Sequence, residues 1–315
     1  MTMLKPDDRN LQVRSLYYAI AWRHRIALVV LGTMMIGSAP AVAWDGSSAD
    51  IPKKIPSKHF VSAQRALRVG VDDLNAGKIE AAVAALTYAA AKGQIIARWK
   101  LGELYAVGDG VSRDDLKAYQ YFNQIVEDYD EDQPDQQDLS AISDAFVAVG
   151  VYSLNGIPTS TVRPNPRRAH ELFQYAATIF DNPNAQYNLA HMYMSGAGGV
   201  AKDHIAAIRW LALAAKEGHR PSQALLGHML FIGDGVPDRR AQGLMWLELA
   251  QDGASNPKDQ WIHDLYQSDF GVASGDDRQA AAMMREARAK GAPPLPARSN
   301  VTSFLESFGA PPTGQ

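Results

Sequence analysis

Several side chains in this sequence have the types and spacings that metal binding would need. Asp128, Asp130 and Asp132 are spaced like the beginning of a calcium-binding loop, in which alternate carboxylates supply oxygen ligands. The pattern fails later, because Gln133 stands where the sharp turn requires glycine and Leu139 stands where a bidentate glutamate would close the ligand shell. We therefore interpret this acidic run as a solvated, mobile connector rather than as a metal site.

The remaining candidates for catalysis are weak. The chain has no cysteine, no G-x-S-x-G elbow and no H-E-x-x-H helix. His170 and Glu171 are adjacent, but the second histidine that a zinc-binding helix needs is missing. The sequence therefore predicts a protein that is not an enzyme and that uses no metal and no cofactor.

Glycine-rich stretches could be mistaken for phosphate-binding loops. They read GDGV at 108–111, SGAGGV at 195–200 and GDGV at 233–236. A phosphate loop follows a strand, whereas each of these stretches lies between two helical patterns and recurs at the same point of a repeat. We interpret them as tight turns in which glycine adopts positive φ.

The repeat that contains these turns is clearest in Ala185–Gly218. When this stretch is aligned with the residues that follow it, Trp210 aligns with Trp246 at an interval of 36 residues. Laid over an earlier stretch, it places Tyr193 on Tyr105. A period near 36 residues is typical of stacked supersecondary units. The sequence therefore predicts an all-α solenoid of stacked antiparallel helix pairs, which grows as one domain.

Each unit reads as helix, turn, helix. At 100° per residue, Leu101, Leu104 and Tyr105 share an apolar face of the first helix, and Gly102 lies beside that face. A side chain reduced to hydrogen allows the second helix to approach closely, and Gly227 holds the same place in a later unit.

The second helix of each unit has its own start and stop signals. Asp114 and Asp203 fall in its first turn, where a carboxylate interacts favourably with the helix dipole, while Arg239 takes this place in a third copy. Gly218 is the predicted C-cap of one such helix. Twelve glycines and aromatic residues are predicted to shape the repeat and its interhelix core: Gly102, Tyr105, Gly108, Gly110, Tyr193, Gly196, Trp210, Gly218, Gly227, Gly233, Gly235 and Trp246.

The consensus of these units, LGxxYxxGxGVxxDxxKAxxWxxxAAxxG, resembles the Sel1-like repeat, a short relative of the tetratricopeptide repeat. The order of the segments AAAKG, GDGVSRDDLKAYQYF, YSLNGIP, NAQYNLAHMYMSGAGG, WIHDLYQ and GVASGDDRQAA is similar to the ExoR family of alphaproteobacterial exopolysaccharide regulators. This similarity spans roughly residues 65–288. It implies a periplasmic protein that binds the sensing domain of a membrane histidine kinase and represses its signalling, until removal of the regulator releases the kinase.

The repeat pattern by itself is less specific about the partner. Stacked helix pairs create an extended concave surface suited to gripping a protein or peptide. A scaffold for envelope polysaccharide or peptidoglycan enzymes is therefore a second hypothesis. The chain has 31 basic and 34 acidic side chains, so its charge does not favour nucleic acid or an anionic membrane as the partner.

Outside the repeats, the chain divides by composition. Residues 1–43 are a predicted signal peptide and residues 44–59 a flexible segment. Residues 60–290 form the predicted repeat domain, with a half-repeat at its start and a degenerate cap at its end, in whose turn we place Gly271 and Gly275. Residues 291–315 are a proline-rich tail that we predict to be disordered, although Val301–Phe308 could form a short amphipathic turn on binding.

Candidate contacts for a partner lie just after the small residue of the first helix. Glu103, His191 and His228 hold this position, which points away from the apolar face. If the first helices line the concave side, the two histidines lie on neighbouring helices about 8 to 10 Å apart and open to solvent. They are either ordinary surface histidines or a pair whose protonation between pH 7 and 5 weakens binding by repulsion.

The predicted signal peptide gives the first test. Residues 26–43 form an apolar run after Arg23 and Arg25, and the run ends in an A-x-A motif at Ala43. We expect N-terminal sequencing of protein from the periplasmic fraction to begin at Trp44. Recovery of chains that retain Met1 from membranes would favour the alternative, an uncleaved anchor.

Overall fold

The computed structural model of the chain describes residues 60–132, 138–254 and 259–291. The predicted signal peptide, the segment 44–59, residues 133–137 of the acidic connector and the tail beyond Gly291 lie outside these residues. The described part contains no strand and consists of α-helices and one 3₁₀ turn at Ala197–Gly199. The helices are α1 (Ala63–Asn75), α2 (Ile79–Ala91), α3 (Ile95–Val107), α4 (Asp115–Glu127), α5 (Leu139–Asn155), α6 (Pro166–Ile179), α7 (Pro183–Ser195), α8 (His204–Lys216), α9 (Arg220–Ile232), α10 (Arg240–Asp252), α11 (Gln260–Val272) and α12 (Gly275–Ala289).

Helices α1 to α10 pack as five consecutive pairs, and each pair packs against the next. The odd-numbered member of a pair is called the first helix here and the even-numbered member the second. This architecture confirms the predicted all-α solenoid. None of the helices in the described residues is long and apolar enough to cross a membrane.

The two helices of a unit approach each other most closely at a small residue. A Cβ added to Gly102 would collide with the ring of Phe122, and one added to Gly150 would lie 2.5 Å from the ring of Phe173. At Gly227 the added atom would meet the backbone of the second helix itself, 2.7 Å from the carbonyl oxygen of Gly243. The close approach predicted for Gly102 and Gly227 is therefore confirmed.

At least two glycines with positive φ shape the turn in each of the pairs α3–α4, α7–α8 and α9–α10. The first ends the first helix in the left-handed region, with φ of 78° at Gly108, and Gly196 and Gly233 do the same in later units. The second packs against the preceding unit, because a Cβ on Gly110 would lie 2.6 Å from Cγ1 of Ile79, the first residue of α2. Gly235 likewise lies against the first residue of α8. The turns therefore join successive units as well as reversing the chain.

The start of the second helix differs in one detail from its prediction. Asp114 and Asp203 are N-caps with extended backbone rather than first-turn residues, and each carboxylate accepts a backbone N–H bond at 2.9 Å. Arg239, at the same place before α10, makes no such cap. Helix α8 ends at Lys216, so Gly218 lies beyond its C-cap residue, with φ of 86°.

The recurring aromatic residues lie between helices, but to different depths. Trp210 and Trp246 are only 2% and 5% exposed, as expected for core residues. Tyr105 and Tyr193 are half-buried, and the Tyr105 ring stacks on Tyr121 with centroids 6.1 Å apart. The two tryptophans are therefore core residues of the later units, whereas the two tyrosines lie at the edge of the core.

The beginning of the acidic connector is anchored, unlike the mobile loop that the sequence predicted. The ring of Tyr129 packs edge-on against Phe146 and against Phe180 at centroid distances of 5.8 and 5.7 Å. The hydroxyl of Tyr175 donates a hydrogen bond of 2.9 Å to Glu131. Carboxylates in this stretch still face solvent, but an aromatic cluster fixes its backbone.

The last two helices do not pair in the regular way. Helix α12 packs along α10 and makes little contact with α11. In α11 the place of Gly227 is taken by Gln267, whose side chain is exposed. Arg240 and Arg285 instead attach α12 to the preceding unit, through bonds between Arg240 and Asp277 and between Arg285 and carboxylates of α10.

The connection between α11 and α12 also differs from its prediction. Gly271 lies inside α11 and Gly275 is the first residue of α12, so neither glycine makes the turn. Ser274 makes it as an N-cap, and its side chain and that of Asp277 form a reciprocal capping box. The sharp start of α12 thus comes from side-chain hydrogen bonds.

The buried tryptophan gives a test of the core. We expect Trp210→Ala to lower the free energy of unfolding by about 3 to 5 kcal/mol, because a large side chain is removed from a packed core. Chemical denaturation of the mature chain measures this loss. Asp130→Ala, in the exposed connector, should leave the midpoint unchanged. A Trp210→Ala midpoint equal to wild type would contradict the burial described above.

Candidate functional site: the outer face of the first helices

Each first helix from α3 to α11 presents a stripe of four residues on the side turned away from the second helices. The positions within a stripe are spaced by four, three and four residues, so they lie along one side of a helix. We call the five stripes together the first-helix face. They are Ile96, Lys100, Glu103 and Val107 on α3; Asp144, Ala148, Val151 and Asn155 on α5; Asn184, Asn188, His191 and Ser195 on α7; Pro221, Leu225, His228 and Ile232 on α9; and Trp261, Leu265, Ser268 and Val272 on α11.

The beginning of this face carries charge. Lys100 and Glu103 form an ion pair of 2.9 Å on α3. On α5, Asp144 accepts a hydrogen bond of 2.9 Å from the Asn182 side chain. Burial raises the pKa of Asp144, the hydrogen bond from Asn182 opposes this rise, and the charge of Glu103 adds to it. The carboxylates of α3 and α5 are thus close enough to influence each other.

The middle of the face is polar and enclosed. His191 on α7 is only 9% exposed, and the ring of Tyr187 packs edge-on against it with centroids 4.5 Å apart. The Tyr187 ring also contacts His219, which precedes α9. The two ring nitrogens of His219 lie 2.8 Å from the Ser222 hydroxyl and 3.1 Å from the Asn184 side-chain oxygen. This cluster joins the fourth and fifth helix pairs through α7 and α9.

Both histidines of this cluster titrate far below their usual range. Burial lowers the pKa of His191 to about 4. Burial also lowers the pKa of His219 to about 4, with a further contribution from the positive charge of Arg220. Sequence reasoning did not single out His219, because it stands outside the helical pattern. The feature of the sequence that could have identified His219 is its position directly after Gly218, where one unit joins the next.

The prediction of two solvent-open histidines on neighbouring helices is wrong for His191. The helical angle of a residue does not show which side chains of adjacent helices cover it, and Tyr187 covers His191. His228 is less buried, with 30% of its side chain exposed, and its Nδ1 lies 2.8 Å from a carboxylate oxygen of Asp269. Because His191 stays neutral at pH 5, the two rings cannot repel each other as a charged pair. Glu103 and His228 remain candidate contacts.

Two polar pairs align the last two stripes of the face. Arg220 and Asp259 join the beginnings of α9 and α11 at 3.1 Å, and His228 and Asp269 join them near their ends. The two helices therefore run parallel and in register. Within the described part of the chain, no group of three histidine, aspartate or glutamate side chains could hold a metal ion.

The low pKa values of the buried histidines make stability depend on pH. A histidine with a pKa near 4 when folded and 6.5 when unfolded binds its proton more readily in the unfolded chain. Its stabilising contribution is complete above about pH 6.5 and is lost as the pH falls toward 4. For His191 alone the loss by pH 5 is about 2 kcal/mol. We expect urea denaturation between pH 7 and 5 to show this decline.

Replacement of the two histidines provides the control for that measurement. His191→Gln should flatten the decline, and His191→Gln combined with His219→Gln should flatten it further, whatever the stability of each variant at pH 7. If the wild type and both variants had the same pH dependence, these buried rings would not be its source.

The repeat units match a known sequence family. The sequence model of the Sel1 repeat matches residues 95–127, 144–178, 183–219 and 220–252. These matches include the imperfect copy made of α5 and α6. A crystal structure of a Sel1 repeat protein from Oxalobacter formigenes has a similar fold, with a TM-score of 0.53 and 22% identity over 73% of this chain and 88% of that one. The structural likeness supports the fold.

Two curated relatives match over most of their length. The exopolysaccharide production negative regulator of Rhizobium meliloti (strain 1021) is 31% identical over 266 residues, which cover 83% of this chain and 94% of the relative. The protein of the same name from Rhizobium leguminosarum bv. viciae is 36% identical over 216 residues, or 68% of this chain and 78% of the relative. With this extent of identity, the chain belongs to the family of exopolysaccharide production negative regulators, built on Sel1 repeats.

Proposed function

We propose that this chain is a periplasmic interaction protein that binds the sensing domain of a membrane histidine kinase and represses its signalling. The observation that carries the proposal is the first-helix face, a surface that crosses five helices and changes from charged to polar to apolar residues. Such a surface suits a protein partner, because charged positions give selectivity and apolar positions give affinity. The names of the two relatives describe negative regulation, which repression of a sensor achieves.

The proposal treats the protein as a regulator without enzymatic activity. In the described residues some polar groups on the face bond between helices, such as His228 with Asp269 and Asn184 with His219, and others bond within one helix. The bonds between helices hold the helices in register. The Ser222 hydroxyl lies 2.8 Å from a ring nitrogen of His219, but Ser222 is fully buried and closed to a substrate. The periplasmic location in the proposal depends on the predicted signal peptide.

Capture of the partner tests the proposal. The full-length chain, including residues 1–43 and tagged at its C-terminus, is expressed in its own cells and crosslinked in the envelope. It is then purified, and its partners are identified by mass spectrometry. We expect a membrane histidine kinase with a periplasmic domain in the eluate. Recovery of polysaccharide or peptidoglycan enzymes without a kinase would favour the scaffold hypothesis instead.

A charge substitution tests whether the first-helix face is the contact surface. Glu103→Lys reverses a half-buried charge at the beginning of the face, and we expect it to weaken capture of the kinase several-fold, since a reversed charge contact costs on the order of 1 kcal/mol. Arg167→Glu is the matched control, because Arg167 lies on the second helix α6 and is 85% exposed. If Glu103→Lys and Arg167→Glu captured the kinase equally well, the contact surface would lie outside the first-helix face.

A further inference from the structure

The end of the first-helix face is an exposed apolar surface. Ile232 and Val272 are 54% and 70% exposed. The other apolar members of these two stripes are half-buried, and Trp261 and Leu265 pack with one side against the hydrophobic core. Because α9 and α11 run parallel and in register, the apolar side chains form three rungs, which we call the apolar patch: Pro221 with Trp261, Leu225 with Leu265, and Ile232 with Val272.

The neighbouring stripe shows that apolar residues are not a requirement of these positions. The stripe of α7 consists of two asparagines, a histidine and a serine at the places that α9 fills with Pro221, Leu225, His228 and Ile232. Helix α7 forms with polar residues at these places. The exposed parts of six apolar side chains on two adjacent helices, interrupted only by His228 and Ser268, therefore indicate a surface that another segment covers.

The chain leaves the described residues at the level of one end of this patch. Helix α12 runs parallel to α10, since Asp277 near its start pairs with Arg240 at the start of α10, and Arg285 near its end pairs with Asp252 at the end of α10. Helix α10 is antiparallel to α9. The end of α12 therefore lies at the level where α9 and α11 begin, which is the level of the rung made by Pro221 and Trp261.

The segment that follows has a complementary pattern. Val301, Phe304, Leu305 and Phe308 are spaced by three, one and three residues, so a short helix of this segment would carry all four on one side. Residues 292–300 can span about 30 Å when extended. The path from the layer of second helices to the first-helix face is about two helix diameters, or roughly 20 Å. The linker is therefore long enough.

We propose that residues 301–308 dock on the apolar patch of the same chain, with their four apolar side chains against the three rungs. Attachment through a short linker gives the segment an effective concentration of about 1 mM, so even a weak contact keeps the patch covered. A partner that uses the whole first-helix face must displace this segment. The proposal stands on the patch and the tail and does not depend on which partner the face binds.

The absence of cysteine from the chain makes the proposal directly testable. Ser268→Cys places a single thiol on the exposed stripe of α11, between the second and third rungs of the patch. The rate of labelling by a bulky maleimide is measured on the mature chain with the native tail and with Phe304→Ser and Phe308→Ser together. We expect the native tail to slow labelling about tenfold. These tail substitutions lie outside the helices of the solenoid, so folding is preserved.

Ser195→Cys is the matched control, because Ser195 is exposed at the end of the polar stripe of α7. Its labelling rate should be the same with either tail. Equal rates at Ser268→Cys with the native and the substituted tail would overturn the proposal. Protection that grows with protein concentration would also overturn it, since a second copy of the chain would then be the occupant.

Discussion

The close approach of two helices at one small residue is the contact on which the rest of the solenoid depends. Where Gly102 or Gly227 lies in the first helix, the second helix packs against its backbone, and the turn between them can be short. Short turns then place a second glycine against the unit before, which fixes the spacing from unit to unit. Where Gln267 replaces the small residue, the pair opens and the last helix attaches to the preceding unit through ion pairs. The array thus ends where this contact is lost.

Much of this architecture could be predicted from the sequence, because the repeat shows each structural residue several times. The positions of Gly102 and Trp210 carry a residue of similar size in successive repeats. A repeat position that always carries a small residue, or always a large aromatic one, indicates a contact between helices. The sequence model of the Sel1 repeat also matches the unit of α5 and α6, where Gly150 keeps its close contact although a proline-rich stretch lengthens the turn. The fold is therefore encoded mainly by local pattern and repetition.

The parts that could not be predicted depend on neighbours that periodicity does not describe. His191 and His228 hold the same place in their helices, yet Tyr187 encloses one ring and the other stays half-open beside Asp269. Asp114 is an N-cap rather than a first-turn residue because the helix begins one residue later than expected, and a sequence pattern does not locate a helix boundary to one residue. The anchoring of the acidic connector depends on three aromatic rings from two other helices. Such features arise only when separate segments come together.

The irregular packing of α11 and α12 at the end of the solenoid also affects association between molecules of this protein. A regular unit ends in a surface onto which the next unit stacks, and the first unit of another molecule could use that surface to extend a filament. Here the terminal surface carries Gln260, Asp264, Gln267, Gln279 and Glu286, all exposed. Covering them would remove water from five polar groups without the small-residue contact that compensates elsewhere in the array. The residue that interrupts the repeat therefore also acts against head-to-tail polymerisation. The array of helix pairs stays as long as the repeats of one molecule make it.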